Sequence, residues 1–400
     1  MLSFLAFAAA GVAAIGLLQA LAGWAATARF AAHRAEAGSG RPLPPITILK
    51  PLHGDEPLLH EALASVCAQD YPVFQIVFGV QDPADPALAV VERLRAEFPD
   101  TDIAVMVDPA QHGRNRKIGN LINMLPAAKH NVLAIADSDL HVQPDYLARL
   151  AAALEQFGAG LVTTLYAGLP ACPALPAHLG ATQITHSFLP GALLARALGR
   201  QDCLGATMML RRETLARIGG LQALVNHLAD DNVLGRLVQA QGFSVVLADT
   251  VVATTVPEAS FAALWRHELR WARTIRTLVP GEFAASALQY PLFWATLAIP
   301  LAGGTAWSWA AFCFAWVIRA LAATGVDRAL AARLQGLAFS CPVWLLPLRD
   351  WLSIGVLLAS YAGRRVDWRG VSMEADTPPP PQRSEGQRSA GQRSEGPNLR

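Results

Sequence analysis

A chain of 400 residues has room for one large domain or two ordinary ones. Its 53% hydrophobic and 16% charged content, with mean hydropathy of +0.31, is greasy for a wholly soluble protein. A net charge of +1 excludes the basic surplus of a nucleic-acid binder. Cys67, Cys172, Cys203, Cys313 and Cys341 form no C-x-x-C or zinc-like spacing, which fits reduced thiols better than a disulfide framework. Neither H-E-x-x-H nor G-x-x-x-x-G-K-[ST] occurs, so zincin and P-loop chemistry have no support.

Residues 2–28 carry no charge and exceed the roughly 20 apolar residues a membrane span needs. Arg29, His33, Arg34 and Arg41 follow, so the positive-inside rule places the next domain in the cytoplasm. A cleaved signal peptide is the competing reading; the missing basic n-region and the length of the apolar run argue against it. Residues 1–29 are therefore expected to form an N-terminal transmembrane helix, followed by a catalytic domain over 41–260.

Within that domain, apolar β-branched runs at 46–49, 76–80, 103–107, 132–136, 161–165 and 245–247 predict strands. Helical patterns fall between them at 56–69, 86–98, 117–125, 144–157 and 230–241. This alternation predicts an α/β fold with a mostly parallel sheet covered on both faces. Ligands of such sheets sit beyond the carboxyl ends of the strands, where Asp82 and the Asp137-Ser138-Asp139 triplet fall.

Each acidic position has a plain reading beside the functional one. Asp82 and Asp85 flank Pro83 and suit a turn that starts a helix. Asp137 and Asp139 close a run too apolar for a surface turn, and two carboxylates there make a hard oxygen site for Mg²⁺ or Mn²⁺. A helix cap before Pro144 is the alternative. Asp230 and Asp231 open a helix, where carboxylates serve as caps. Asp231 also has the company a general base needs, since neighbouring carboxylates raise its pKa toward neutrality.

Residues 261–279 predict an amphipathic interfacial helix, with Arg266, Arg270, Arg273 and Arg276 among Trp265, Leu269, Trp271 and Ile275. Lying on a membrane surface explains that pattern. Alternatively, Arg270 and Trp271 face the site, where the guanidinium stabilises a diphosphate leaving group. Residues 288–365 predict a second membrane region of three to four segments. Runs at 290–302 and 306–324 flank Gly303-Gly304, and the stretch 334–363 is interrupted by Pro342, Pro347 and the Arg349-Asp350 pair. That last stretch is either one broken helix or two re-entrant halves, and the pair is either functional or a loop marker. Arg364, Arg365 and Arg369 point back to the cytoplasm. The repeats QRSEG-QRSAG-QRSEG make 373–400 a tail expected to be disordered.

Seven ordered stretches carry a family resemblance: ITILKPLHGDEP, SVCAQDYPVFQIVFGVQDPADPA, GRNRKIGNL, IADSDL, CLGATMMLRRETL, LADDNVLG and HELRW. Over roughly residues 45 to 275 the chain resembles the ceramide glucosyltransferase family, and most of all its bacterial branch associated with hopanoid biosynthesis. That resemblance implies a GT-A fold, a UDP-sugar donor, inversion at the anomeric carbon, a lipid acceptor and a multi-pass protein of the cell inner membrane. It assigns Asp82 to the nucleotide, Asp137 to donor and metal, and Asp231 to the general base, while Asp139 is expected at the metal as the second carboxylate of the triplet. Lys50 and Lys117 fall in matching motifs and are assigned to donor phosphates, with Arg270 and Trp271 completing a Gln/Arg-x-x-Arg-Trp element. His267 departs from the usual Gln or Arg, and Asp139 stands where the animal enzymes carry glycine. For the hopanoid branch the implied donor is UDP-N-acetylglucosamine and the implied acceptor bacteriohopanetetrol. Competing readings are ceramide with UDP-glucose, a processive polysaccharide synthase, which needs more membrane helices, and a non-enzymatic scaffold, against which Asp137 and Asp231 both speak.

Overall fold

Alternating apolar residues sort the strands of this chain between two cores. In the computed structural model, described over residues 2–33, 43–337, 339–363, 365–368 and 371–374, eight strands form one sheet. They are β1 (Ile46–Pro51), β2 (Phe74–Val80), β3 (Asp102–Val107), β4 (Val132–Ala136), β5 (Leu140–His141), β6 (Ala159–Pro170), β7 (Thr207–Arg211) and β8 (Ser244–Val256). Their order is β3-β2-β1-β4-β7-β6-β8-β5. Along β4, Val132, Ala134 and Ala136 enter one core while Leu133 and Ile135 enter the other, as a period of two requires. The first core takes in the Leu59–Cys67, Ala87–Glu97 and Tyr146–Leu154 helices; the second takes in the Arg116–Met124 and Asp230–Ala240 helices. Both β1 and β4 are buried along their whole length, which explains why they read as apolar runs without polar alternation.

The sheet is mixed. Strands β3, β2, β1 and β4 are parallel, but β7 pairs antiparallel with both β4 and β6. The sequence reading assigned no strand to β7. It also stopped short on β6 and β8, which run in parallel to Pro170 and Val256. Their additional length carries the sheet toward the helical region.

Three helices are long and apolar enough to cross a membrane: Leu2–Ala32, Ala306–Leu334 and Val343–Ser360. Pro291–Leu301 spans 11 residues, roughly 16 Å of helix, against a hydrocarbon core of about 30 Å. The helix expected to end near 324 continues to Leu334. Past it, the prolines do not split the chain into two halves. Pro347 lies in the first turn of one helix, Leu346–Ser360, where its missing N–H costs nothing. A hairpin of β9 (Arg365–Trp368) and β10 (Val371–Glu374) follows. Arg34, Arg41, Arg364, Arg369 and tail residues 375–400 lie outside the described residues.

Buried Arg333 joins the helices to the sheet. It donates to the carbonyls of Phe30, Ala31 and His33, at the carboxyl end of the first helix, where a cation complements the helix dipole. The same guanidinium meets Asp249 of β8 at 2.9 Å, and Arg149 meets that carboxylate at 3.1 Å.

Candidate active site

The parallel strands β1, β2 and β4 end on one rim of the sheet, and Asp137 follows β4 directly. Antiparallel pairing sets Ala136 opposite Thr207, and Asp137 N–H donates to the Ala206 carbonyl at 3.2 Å. Next to it, Gly205 has φ +77°, and a Cβ there would come within 2.6 Å of Asp231 Oδ2. Glycine is thus required twice over, for the backbone conformation and for the approach of Asp231. The unforeseen strand β7 is what brings Asp231 to the Asp137 rim.

Lys117 bridges the carboxylates. Its Nζ lies 2.6 Å from Asp137 Oδ1 and 3.8 Å from Asp230 Oδ2. Burial disfavours charge on this amine, yet Asp137 and Asp230 outweigh burial and hold its pKa well above the usual lysine range. It sits in the first turn of the Arg116–Met124 helix, capped by fully buried Asn115. The Asn115 Oδ1 accepts from Ile118 N–H at 3.1 Å, and its Nδ2 donates to the His227 carbonyl at 2.8 Å and to Asp230 Oδ1 at 3.2 Å. A cap serine or aspartate would satisfy the helix but not reach Asp230 with a donor. Neither use of Asn115 was read from the sequence, although an asparagine just before a helical pattern is a cap signal.

Burial, then the charge of Asp230, pushes the Asp231 carboxyl up to about 7. Burial, then Asp137, pushes Asp139 up to about 6. Asp139 Oδ2 accepts from Thr254 Oγ1 at 2.5 Å, tying the triplet to β8. Lys50 is fully buried and donates to the Asp137 carbonyl at 2.6 Å, with burial lowering its pKa to about 8. Lys50 therefore braces the triplet's backbone. Two hard carboxylates two residues apart, one of them raised by the other's charge, suit a Mg²⁺ or Mn²⁺ ion that takes its remaining ligands from phosphate and water. Among the described residues no cluster of three His, Cys, Asp or Glu side chains makes a metal site by itself.

Asp82 is exposed, and its Oδ1 accepts from Ala84 N–H at 2.8 Å, the turn geometry its neighbours foretold. Asp85 is the buried one; it holds Gly54 N–H at 3.0 Å and Ala87 N–H at 2.9 Å. Trp271 packs into a cluster with Tyr166, whose phenol is pushed up by burial and by Asp231, Asp137 and Asp139. The Phe261–Leu278 helix thus shares a core cluster with a residue that lies within electrostatic reach of the carboxylate rim. On that helix His267 sits edge-on to Trp271 at 4.8 Å, and its Nδ1 bonds Glu258. Burial opposes charge on Glu258, but His267 and then Arg270 hold its carboxyl below the usual range.

Arg349 does not mark a loop, nor is Asp350 its partner. Fully buried, its guanidinium forms a two-pronged pair with both Glu268 oxygens at 2.7 Å. Asp350 instead accepts from Leu292 N–H at 2.9 Å. The partners of Glu268 and Glu258 were not legible in the sequence, because they lie on other elements.

The arrangement is that of a GT-A fold. A mannosyltransferase from Pyrobaculum calidifontis, solved with GDP-mannose and Mn²⁺, superposes with a TM-score of 0.52 at 20% identity, covering 90% of this chain and 99% of that one. The chain belongs to Glycosyl transferase family 21, whose profile matches residues 5–379. Among curated relatives, Ceramide glucosyltransferase 1 of Caenorhabditis elegans is 21% identical over 252 residues, 62% of this chain and 53% of the relative. A ceramide glucosyltransferase of Komagataella phaffii is 33% identical over 123 residues, 29% and 24% of the respective chains. An N-acetylglucosaminyltransferase of Rhizobium leguminosarum bv. viciae is 23% identical over 254 residues, 58% and 56%. The chain spans about half the length, or less, of these relatives.

Proposed function

We propose that this chain is a membrane-bound, inverting glycosyltransferase that moves a sugar from a UDP-sugar to a lipid hydroxyl. The observation that carries the reading is Asp231, a half-buried carboxyl set against Gly205 at the Asp137 rim and raised to about 7. A base poised there takes the proton of the acceptor hydroxyl as its oxygen attacks the anomeric carbon and UDP departs. Asp137 and Asp139 would hold a divalent cation, which when bound would supply positive charge to the diphosphate. Lys117, Arg270 and Trp271 face the donor side, Lys50 keeps the triplet in place, and Asp82 reaches the nucleotide. Holding acceptor and donor in line supplies much of the acceleration.

The division into an N-terminal anchor (1–29), catalytic domain (41–260), interfacial helix (261–279), membrane region (288–365) and tail (373–400) belongs to the same proposal. So does a multi-pass inner-membrane location with the catalytic domain in the cytoplasm. For the sugar we propose N-acetylglucosamine, which the name of the rhizobial relative supports. The hopanoid acceptor, bacteriohopanetetrol, rests on the resemblance of the seven ordered motifs. Ceramide with UDP-glucose is the second reading, favoured by the ceramide glucosyltransferases among the relatives.

A transfer assay in detergent micelles tests this. UDP-N-acetylglucosamine and UDP-glucose are each offered against bacteriohopanetetrol and ceramide with Mg²⁺ or Mn²⁺, beside Asp231→Asn. Glycosylated hopanoid formed only by the unmutated protein is the expected result. Glucosylceramide overturns the acceptor and donor, and product from Asp231→Asn at the full rate overturns the base.

A further inference from the structure

The carboxylate rim already contains a cation of its own. Lys117 Nζ lies 2.6 Å from Asp137 Oδ1, while Asp139 is held by the neutral hydroxyl of Thr254. Lys117 also faces Asp230 Oδ2 at 3.8 Å, a buried oxygen with no hydrogen-bond partner among the described residues. One ammonium thus serves both acidic clusters, the Asp137 triplet and the Asp230–Asp231 pair. An incoming divalent ion must compete with it for Asp137.

We propose that Lys117 is a resident counter-ion of the metal site, and that it makes cation binding conditional on the donor diphosphate. This rests on the donor and metal reading above. In the free protein the charge of Asp137 is already balanced, so a divalent ion by itself gains little there. A diphosphate brings new anionic oxygens, and the ammonium, a point charge on a flexible four-carbon stem, transfers its bonds to them. Asp137 is then released to the metal as the metal gains phosphate ligands. Cation and diphosphate therefore bind as a pair, each tightening the other by the same factor. Such a device keeps the rim from being crosslinked by a metal before substrate is present, and it keeps two adjacent carboxylate clusters compatible in the empty site.

The test measures Mn²⁺ affinity by electron paramagnetic resonance on the full chain in detergent micelles, with and without UDP. For the unmutated protein, Mn²⁺ is expected to bind at least about tenfold more tightly with UDP, since a charge-assisted bond is at stake. Lys117→Met is expected to tighten Mn²⁺ alone by about tenfold and to shrink the gain from UDP. Lys117→Arg keeps the charge and stays weak for Mn²⁺ alone, and Lys117→Gln replaces the methionine variant should that one fail to fold. If neutral variants leave Mn²⁺ alone unchanged or weaker, the counter-ion role is overturned while the metal site stands. If the unmutated protein binds no Mn²⁺ even with UDP, the metal reading falls together with it.

Discussion

Charged side chains cluster in two regions of this molecule and are satisfied differently in each. Among the helices, and where they meet the sheet, they form close pairs: Arg349 with Glu268 and Arg333 with Asp249. At the sheet rim, Asp137, Asp230 and Asp231 crowd around Lys117 with Asp139 beside Asp137, and two of these carboxyls are pushed toward neutral pH. The paired region is arranged to hold elements together. The crowded rim keeps protonation and charge unsettled, which is what proton transfer and phosphate binding need. A surplus of like charge at one rim is therefore a better guide to chemistry here than burial of charge as such.

Breaking the rim should give the largest effect. Asp231→Asn is expected to lower the transfer rate by about 10²–10⁴-fold, while circular dichroism shows the fold unchanged. The unmutated rate should rise with pH through about 7, because the base works only when ionised. Stability runs the other way. The folded state holds the Asp231 proton more tightly than an unfolded chain with an ordinary value of 3.8, so this stabilisation is full below 3.8 and lost as pH rises through about 7. Melting temperatures at pH 5 and pH 8 should show Asp231→Asn gaining on the unmutated protein at the higher pH.

Breaking the paired region tests the other half of the comparison. Arg349→Met leaves Glu268 without its partner, and a loss of about 3–5 kcal/mol is expected, read as a lower melting temperature in micelles. Adding Glu268→Gln should recover much of it. If the single variant melts like the unmutated protein, the pair is not holding the Phe261–Leu278 helix to the Leu346–Ser360 helix. Gly205→Ala should cost about 1–3 kcal/mol through its backbone conformation and also cut transfer, since the new methyl meets Asp231. The smallest effect belongs to an exposed pair: Lys129→Ala removes the 2.6 Å contact with Asp102 and should shift stability by less than about 1 kcal/mol.

The local part of the fold was legible because burial repeats along a strand or helix. The run at 132–136 was bounded as β4, and the Arg-Trp helix starts at Phe261 where Ser260 caps it. Strand β7 escaped because TMMLR has a single β-branched residue, Thr207, and so does not announce itself. At the site, the acidic positions were visible as residues, but Asp82 and Asp85 traded burial, and Lys50 turned to a backbone carbonyl. The Arg349-Asp350 pair misled because adjacent residues on a helix do not face each other.

The sequence by itself determined most of the strands, the two longest apolar helices, and which acidic residues stand at strand and helix ends. Those properties follow from periodicity within a few residues. Tertiary structure alone decided that β7 enters antiparallel, that Gly205 admits Asp231, that Lys117 is shared by two acidic clusters and that Glu268 is the partner of Arg349. A charge finds its partner only when separate elements pack, and the distance between the two along the chain does not record where they meet.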